Sequence, residues 1–266
     1  MTLVTPIFVL TAALYAASCV LFFVHLARGG QRSVTWASRV LAAAMTAHLG
    51  FLVANFFWFG HGPMSDIHEA LALLSLLIAL GYLATMSTHR LTVLGAFITP
   101  VTLLLFLGAS LGGRVAEVPE GVRSALLPLH IAVNVLGIVA FALASGAATG
   151  YLIQERLLRQ KHVVGVFQRL PALDVLDSLG FKLVTIGFPL FTVGLLMGTL
   201  WAARTHQGLD TGQGFALLAW VFFACVLLAR AAAGWRGRRA AIGTMLGFLC
   251  AMAALGGYLL RGIQGS

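Results

Sequence analysis

Eight apolar runs constrain what this chain can become. They cover residues 3–26, 36–59, 67–86, 91–111, 127–153, 183–203, 214–230 and 241–260. A helix uses about 20 apolar residues to cross the hydrocarbon of a bilayer, and each run reaches or approaches that length. The runs are continuous and do not alternate, which excludes a β-barrel. Charge is scarce: 9% of the 266 residues are charged and 60% are hydrophobic, against about a quarter charged in an ordinary soluble domain. A water-soluble enzyme, a disordered chain and a disulfide-stapled secreted domain are excluded. The expected fold is all-α: a polytopic integral membrane bundle of eight transmembrane helices, a single transmembrane domain over 1–266. The first run has no basic residue before it and is too long for a signal-peptide core, so it reads as a retained helix.

The basic residues are distributed unevenly between the runs. Segments 27–39, 90, 154–182 and 230–240 hold 13 of the 17 Lys and Arg residues. The remaining four are Arg114, Arg123, Arg204 and Arg261, all in the alternate segments. Asp66, Glu69, Glu117, Glu120 and Asp210 share that arginine-poor side. The positive-inside rule then places both termini outside. A net charge of +9 on this pattern reports orientation in the bilayer, and no nucleic-acid-binding motif accompanies it.

Local signals agree with the runs. Asp66 followed by Glu69 opens the third run as a capping box, and Pro128 suits the first turn of the fifth. Gly146-x-x-x-Gly150, Gly194-x-x-x-Gly198 and Gly243-x-x-x-Gly247 read as close-packing devices between helices. Residues 154–182 read as an amphipathic or irregular connector. Cys19, Cys225 and Cys250 each lie within an apolar run without a C-x-x-C pair, so dithiol chemistry is not expected.

Histidine is the one ionisable residue type placed well inside a run, and a polar group at that depth is a functional candidate. His48 lies mid-way along the second run. It is either a neutral imidazole hydrogen-bonded to a neighbouring helix or a metal or haem ligand. His130 lies one turn into the fifth run with Asn134 one turn deeper on the same face, and His68 opens the third run at similar depth. His61 and His206 fall in outer loops. His25, His89 and His162 sit among basic residues at the inner surface and read as solvated. His48 is about 11 residues, or about 16 Å, below the outer end of its helix, and His130 only about 3 residues, or about 5 Å. One iron does not take both without a large helix shift, whereas His68 and His130 are placed to share one outer haem. Trp58 and Trp201 read as an interfacial belt.

Several stretches together resemble a known family. They are Leu129-His130-Ile131, Tyr151-Leu152-Ile153-Gln154-Glu155-Arg156, Leu170-Pro171-Ala172-Leu173-Asp174, Ile186 to Thr192, Gly198-Thr199-Leu200-Trp201-Ala202 and Gly234-Trp235-Arg236-Gly237-Arg238-Arg239. In this order they resemble the cytochrome c assembly membrane-protein family, clearest over 127–247 and closest to its compact HemX-like and YpjD-like branch. The resemblance implies an eight-helix bacterial inner-membrane protein connected with haem delivery to apocytochrome c. It implies that His130 matches the family's outer haem-ligating histidine. It implies that His48 matches a histidine of the second helix in the compact branch, and that 234–239 match an inner-face basic motif. The chain departs from the family pattern at three places. Residues 204–213 contain no tryptophan where haem-delivering members carry a tryptophan-rich loop. Leu228 stands where members have a histidine, and 247–258 contain none.

The expectation is therefore a membrane protein of cytochrome c biogenesis that binds, passes or senses haem at the outer face, without covalent catalysis of its own. His130, His48 and His68 are the candidate cofactor-binding residues, with His130 and His48 as candidate haem-iron ligands. Expected partners are the lipid bilayer, other cytochrome c assembly proteins and apocytochrome c. The alternative is a cofactor-free regulatory or scaffold protein acting on tetrapyrrole synthesis or accompanying a transporter.

Overall fold

The computed structural model describes residues 4–59, 64, 66–89, 91–110, 126–161, 164–204 and 210–264. The described chain is helical throughout. In order it comprises α1 (Val4–Arg28), α2 (Gln31–Phe59), α3 (Ile67–His89), a 3-10 turn (Thr92–Leu94), α4 (Gly95–Gly108), α5 (Leu126–Arg159), α6 (Val166–Arg169), α7 (Leu173–Arg204), α8 (Thr211–Ala233) and α9 (Arg238–Gln264). Seven of these helices are long and apolar enough to cross a membrane. The fourth run is the shorter one: its apolar helix covers Thr92–Gly108, and at about 1.5 Å per residue it falls a few ångströms short of a 30 Å hydrocarbon core.

Large apolar side chains face outward all round the bundle. Phe57 is 80% exposed and Leu104 and Leu228 are each 68% exposed, a surface suited to lipid and unsuited to water. The interior is one continuous core drawn from every long helix, with Tyr15, Phe22, Tyr82, Phe106, Phe141 and Phe223 fully buried. Helix α5 is the central element. Its stretch from Ala140 to Ala148 is buried on every face, as expected of a helix that other helices surround. Small residues make that possible. Gly137 of α5 and Gly187 of α7 bring the two backbones together: a Cβ on Gly187 would lie 3.0 Å from the Gly137 carbonyl oxygen. Phe141 stacks on Phe223 of α8 at 3.6 Å between ring centroids.

The up-down alternation expected from the arginine pattern is present in the contacts. At one end, Arg169 of α6 donates to the Leu26 carbonyl at the end of α1 (2.7 Å). At the same end Arg230 of α8 pairs with Asp177 of α7 (2.9 Å), and the Gly237 N–H, just before α9, donates to Asp177 (2.8 Å). We call this the arginine-rich end. The start of α3, the start of α5, the end of α7, the start of α8 and the end of α9 meet at the other, arginine-poor end.

Two features differ from the sequence expectation. Most of 154–182 is helix: α5 runs on to Arg159 and α7 begins at Leu173, leaving only a short link that contains α6. Helices continue past the apolar stretch because exposed charged turns satisfy their own backbone, helped here by the i,i+4 pair Glu155–Arg159 (2.8 Å). His25 is not solvated. It is only 7% exposed, and its ring nitrogens lie 3.1 Å from the Ser33 hydroxyl and 3.2 Å from the Thr92 hydroxyl. The imidazole thus ties α1 to α2 and to the turn before α4. The tight link that places Ser33 there needs Gly29 and Gly30 at φ of +73° and +94°.

Candidate functional site

The helix starts and ends at the arginine-poor end surround a cleft. It holds about 790 Å³ of atom-free space, counted out to its open mouth, between α3, α5, α7, α8 and α9. Its walls are mostly aliphatic, from residues such as Ile67, Leu71, Leu74, Val135, Ile138 and Leu255. The polar residues among its lining are His130, Asn134, Thr199, Gln213 and Tyr258.

His130 reaches the cleft because α5 begins at Leu126 with Pro128 in its first turn, so the imidazole comes at the end of that turn. Asn134, one turn on, donates to the His130 main-chain carbonyl at 2.8 Å. The same amide nitrogen is 3.4 Å from each ring nitrogen, too long to commit either of them. The Gly194 carbonyl of α7 stands beside the ring. The pair Gly194 and Gly198 on α7 opens the space. A Cβ on Gly198 would lie 3.1 Å from the imidazole Cε1, and one on Gly194 would run into the Asn134 amide. The Gly194-x-x-x-Gly198 motif is therefore a packing device, and what it accommodates is His130 and Asn134.

The other histidines are placed differently. His48 is fully buried between α1, α2 and α4, away from the cleft. Its Nδ1 is 3.0 Å from the Tyr15 hydroxyl, and the ring packs on Phe106 at 4.4 Å and near Phe51 at 6.2 Å. Its Nε2 is buried without a hydrogen-bond partner. His68 follows the wall residue Ile67 in the first turn of α3 without itself lining the cleft. Both of its ring nitrogens are buried without a partner. The fold thus brings His130 to the cleft, sets His68 next to its wall and places His48 elsewhere. His61, His162 and His206 lie outside the described residues. Trp58 is 55% exposed and off the cleft. Among the described residues no group of three or more His, Cys, Asp or Glu side chains could hold a metal ion, and the three cysteines are free.

Two polar features were not anticipated. Tyr258 of α9 and Gln213 of α8 line the cleft. Gln213 closes a capping box with Asp210, which accepts from the Gln213 N–H at 2.7 Å. The Asp-x-x-Gln spacing is the signal that would have announced it. The expected Asp66 cap is also present, accepting from the Glu69 N–H at 2.9 Å.

The chemistry of the donor set suits haem at one position. An imidazole whose ring nitrogens have long contacts to Asn134 and the Gly194 carbonyl beside them stands in an apolar cleft whose neighbouring helix carries glycine where any Cβ would press on it, and such a carbonyl is a usual outer partner of a ligating histidine. His48 lacks such a space, since aromatic rings enclose it.

Comparison with known proteins agrees with the architecture. The cytochrome c biogenesis protein CcsA of Guillardia theta is 27% identical over 215 residues, covering 71% of each chain. CcsA of Synechococcus sp. (strain CC9902) is 26% identical over 241 residues, covering 80% of this chain and 79% of that one. CcsA of Chlamydomonas reinhardtii is 28% identical over 202 residues, and the match spans only 56% of its length. Among solved structures, cytochrome c heme lyase CcmF shares the fold with a TM-score of 0.64 at 15% identity. That likeness covers 98% of this chain and 52% of CcmF, so the chain corresponds to about half of that protein. Residues 64–263 match the family described as cytochrome C assembly protein, and the chain belongs to that family.

Proposed function

We propose that this protein binds haem in the cleft at its arginine-poor end and passes or senses it in cytochrome c biogenesis, with His130 as the iron ligand and no covalent catalysis of its own. The observation that carries this reading is the combination of His130, its loosely engaged ring nitrogens and the glycine pair on α7 that makes room at the ring. Haem, when bound, supplies the iron that imidazole ligates. The residues divide the remaining work. His130 holds the iron, Asn134 braces the His130 main chain, and the aliphatic walls keep water from the site. The family membership and the names of the relatives, cytochrome c biogenesis protein and cytochrome c heme lyase, support the same reading. Apocytochrome c and other assembly proteins are the partners this role requires.

The arginine asymmetry supports an orientation in a bacterial inner membrane with the arginine-rich end in the cytoplasm and the cleft facing the periplasm. Both ends of the described chain, Val4 and Gln264, then lie on the periplasmic side. A reporter fused after residue 266 is expected to be accessible from outside in intact cells; an inaccessible one overturns this orientation.

The test of function is a haemin titration of the detergent-purified protein. The expected result is a Soret band that saturates at one haem per chain. A protein that stays colourless overturns the haem reading and leaves the scaffold or regulatory reading in its place. His48 is assigned a structural role, holding Tyr15 across the α1–α2 interface. His48→Ala is expected to keep the Soret band while lowering stability by about 1–3 kcal/mol, the cost of a buried hydroxyl left without its partner. Unfolding by sodium dodecyl sulfate in mixed micelles reads the second effect. Loss of the band in a folded His48→Ala protein would make His48 a ligand.

A further inference from the structure

Helix α2 takes no part in the cleft. It packs chiefly on α1, which leaves one long face of it outward. Arg32, Trp36, Arg39, Ala43, Thr46 and Gly50 are all exposed on that face. Their alternating spacing of four and three keeps them on a single stripe. The stripe has two parts. Its first two turns, at the arginine-rich end, are cationic and aromatic. The next two, within the apolar run, carry only small residues.

The cationic part finds no counter-charge in the protein. Three carboxylates belong to the arginine-rich end: Glu155, Asp174 and Asp177. Glu155 pairs with Arg159, and the other two pair with Arg230 and Arg236. Among the described residues, none pairs with Arg32 or Arg39. Arg39 lies inside the apolar run, and its guanidinium sits over the exposed Trp36 ring, 5.7 Å from the centroid. A basic side chain below the interface reaches back to it in this way, and indole settles at the same level. The small part is not explained by packing within the chain. Gly137, Gly187, Gly194 and Gly198 each face a neighbour that a Cβ would press on, whereas a Cβ on Gly50 would meet nothing within 4 Å. Glycine inside a helix is a cost, and no contact in the chain requires this one. The Thr46 hydroxyl returns to the Ala42 carbonyl at 3.0 Å, so it needs no outside partner.

We infer that this face of α2 seats one anionic phospholipid, its phosphate held by Arg32 and Arg39 at the level of Trp36 and one acyl chain lying along Ala43, Thr46 and Gly50. Charge complementarity selects this occupant. A partner helix on the same stripe has to bring an acidic side chain to the edge of the hydrocarbon, where it is costly; a phospholipid carries its negative charge at that level by construction. The lengths agree. Gly50 lies 11 residues beyond Arg39, about 16 Å along the axis, and half of a hydrocarbon core is about 15 Å. A second guanidinium-over-indole pair, Arg239 on Trp235 at 5.7 Å, stands at the start of α9. There the exposed residues that follow are the bulky Ile242 and Leu246, so no notch continues from it. The lipid seat lies on a helix apart from the cleft and does not depend on the haem reading.

The test uses the full chain in dioleoylphosphatidylcholine vesicles containing increasing fractions of a phospholipid brominated high in its acyl chains, which quenches only nearby indoles. The brominated lipid is phosphatidylglycerol in one series and phosphatidylcholine in the other. The Trp36 signal is the difference between each protein and its own Trp36→Phe form. Phosphatidylglycerol is expected to quench Trp36 at a mole fraction roughly 5- to 30-fold lower than phosphatidylcholine, the range for one to two basic side chains at the surface. Arg32→Gln combined with Arg39→Gln is expected to bring that preference to about 2-fold or less. Gly50→Leu, which fills the notch, is expected to raise the phosphatidylglycerol fraction needed by about 4-fold for each chain methylene displaced. Arg238→Gln combined with Arg239→Gln, at the other indole, is expected to leave the Trp36 signal unchanged. Unfolding in sodium dodecyl sulfate is the control for integrity. Equal loss at the two arginine pairs means a diffuse surface potential and overturns the site. A preference that survives Arg32→Gln with Arg39→Gln overturns the headgroup contacts, and a folded Gly50→Leu protein with unchanged quenching overturns the acyl seat. An indole that neither lipid quenches is covered by protein, a second copy included, and overturns the inference as a whole.

Discussion

Replacing His130 by alanine is expected to weaken haemin binding by at least about 100-fold, which at about 1.4 kcal/mol per tenfold is close to 3 kcal/mol. Loss of an outer-shell partner alone costs a metal site roughly 10- to 100-fold, and an iron ligand sets the upper end of that range as a minimum. The fold is expected to survive. The imidazole is half-buried, its ring nitrogens make contacts of 3.4 Å to Asn134 with the Gly194 carbonyl beside them, and the short Asn134 bond goes to the His130 main chain, which alanine retains. The measurement is a haemin titration followed at the Soret band, with unfolding in sodium dodecyl sulfate as the control for integrity. Added free imidazole is expected to restore part of the band, because the mutation empties a volume next to Gly198. An unchanged titration in the folded variant would remove His130 from the site.

The largest effect on stability is expected at the opposite end of the bundle. The Asp177 carboxylate accepts from Arg230 at 2.9 and 3.1 Å and from the Gly237 N–H at 2.8 Å, with Arg236 at 3.6 Å. Asp177 and Arg230 keep only 8% and 12% of their side-chain surface exposed, and the Arg230 guanidinium lies over the Phe181 ring at 4.1 Å. One carboxylate therefore joins α7, α8 and the turn before α9. Asp177→Ala leaves a buried cation and a buried N–H without their acceptor. Breaking a buried pair in this way costs about 3 kcal/mol or more, measurable as a shift of the unfolding midpoint. Asp177→Asn keeps an acceptor for Gly237 while removing the charge, so its effect is expected to fall between wild type and alanine. The exposed pair Glu155–Arg159, with Arg159 68% exposed, is expected to contribute about 0–1 kcal/mol. Equal effects at the two sites would contradict this account.

These two clusters also divide what could be read from the sequence. The membrane character follows from a local property, since each run must by itself supply the length and apolarity that hydrocarbon demands. The alternation of arginine is equally local, and the contacts at the arginine-rich end follow it. His130 with Asn134 one turn below was legible because i and i+4 share a helix face. The Asp66 cap was legible because its partner lies three residues on. Asp177 was not singled out, because its partners Arg230 and Gly237 lie 53 and 60 residues away. His25 sits among basic residues in the sequence and looked wet. It is buried because Ser33 and, 67 residues on, Thr92 close over it. Tyr258 gave no signal, since a tyrosine near a helix end is an ordinary interfacial residue.

By itself, the sequence determined the membrane-spanning helices, their order and their up-down alternation, and it set His130 among the histidines of the arginine-poor end. Only the tertiary structure decided which faces of those helices turn inward. In a soluble helix the apolar stripe marks the buried face. In lipid both faces are apolar, so the choice passes to close packing of small residues. That is why Gly194 and Gly198 against Asn134 and His130, Gly212 against Tyr258, and the enclosure of His48 by Tyr15 and Phe106 became visible only when the helices were assembled.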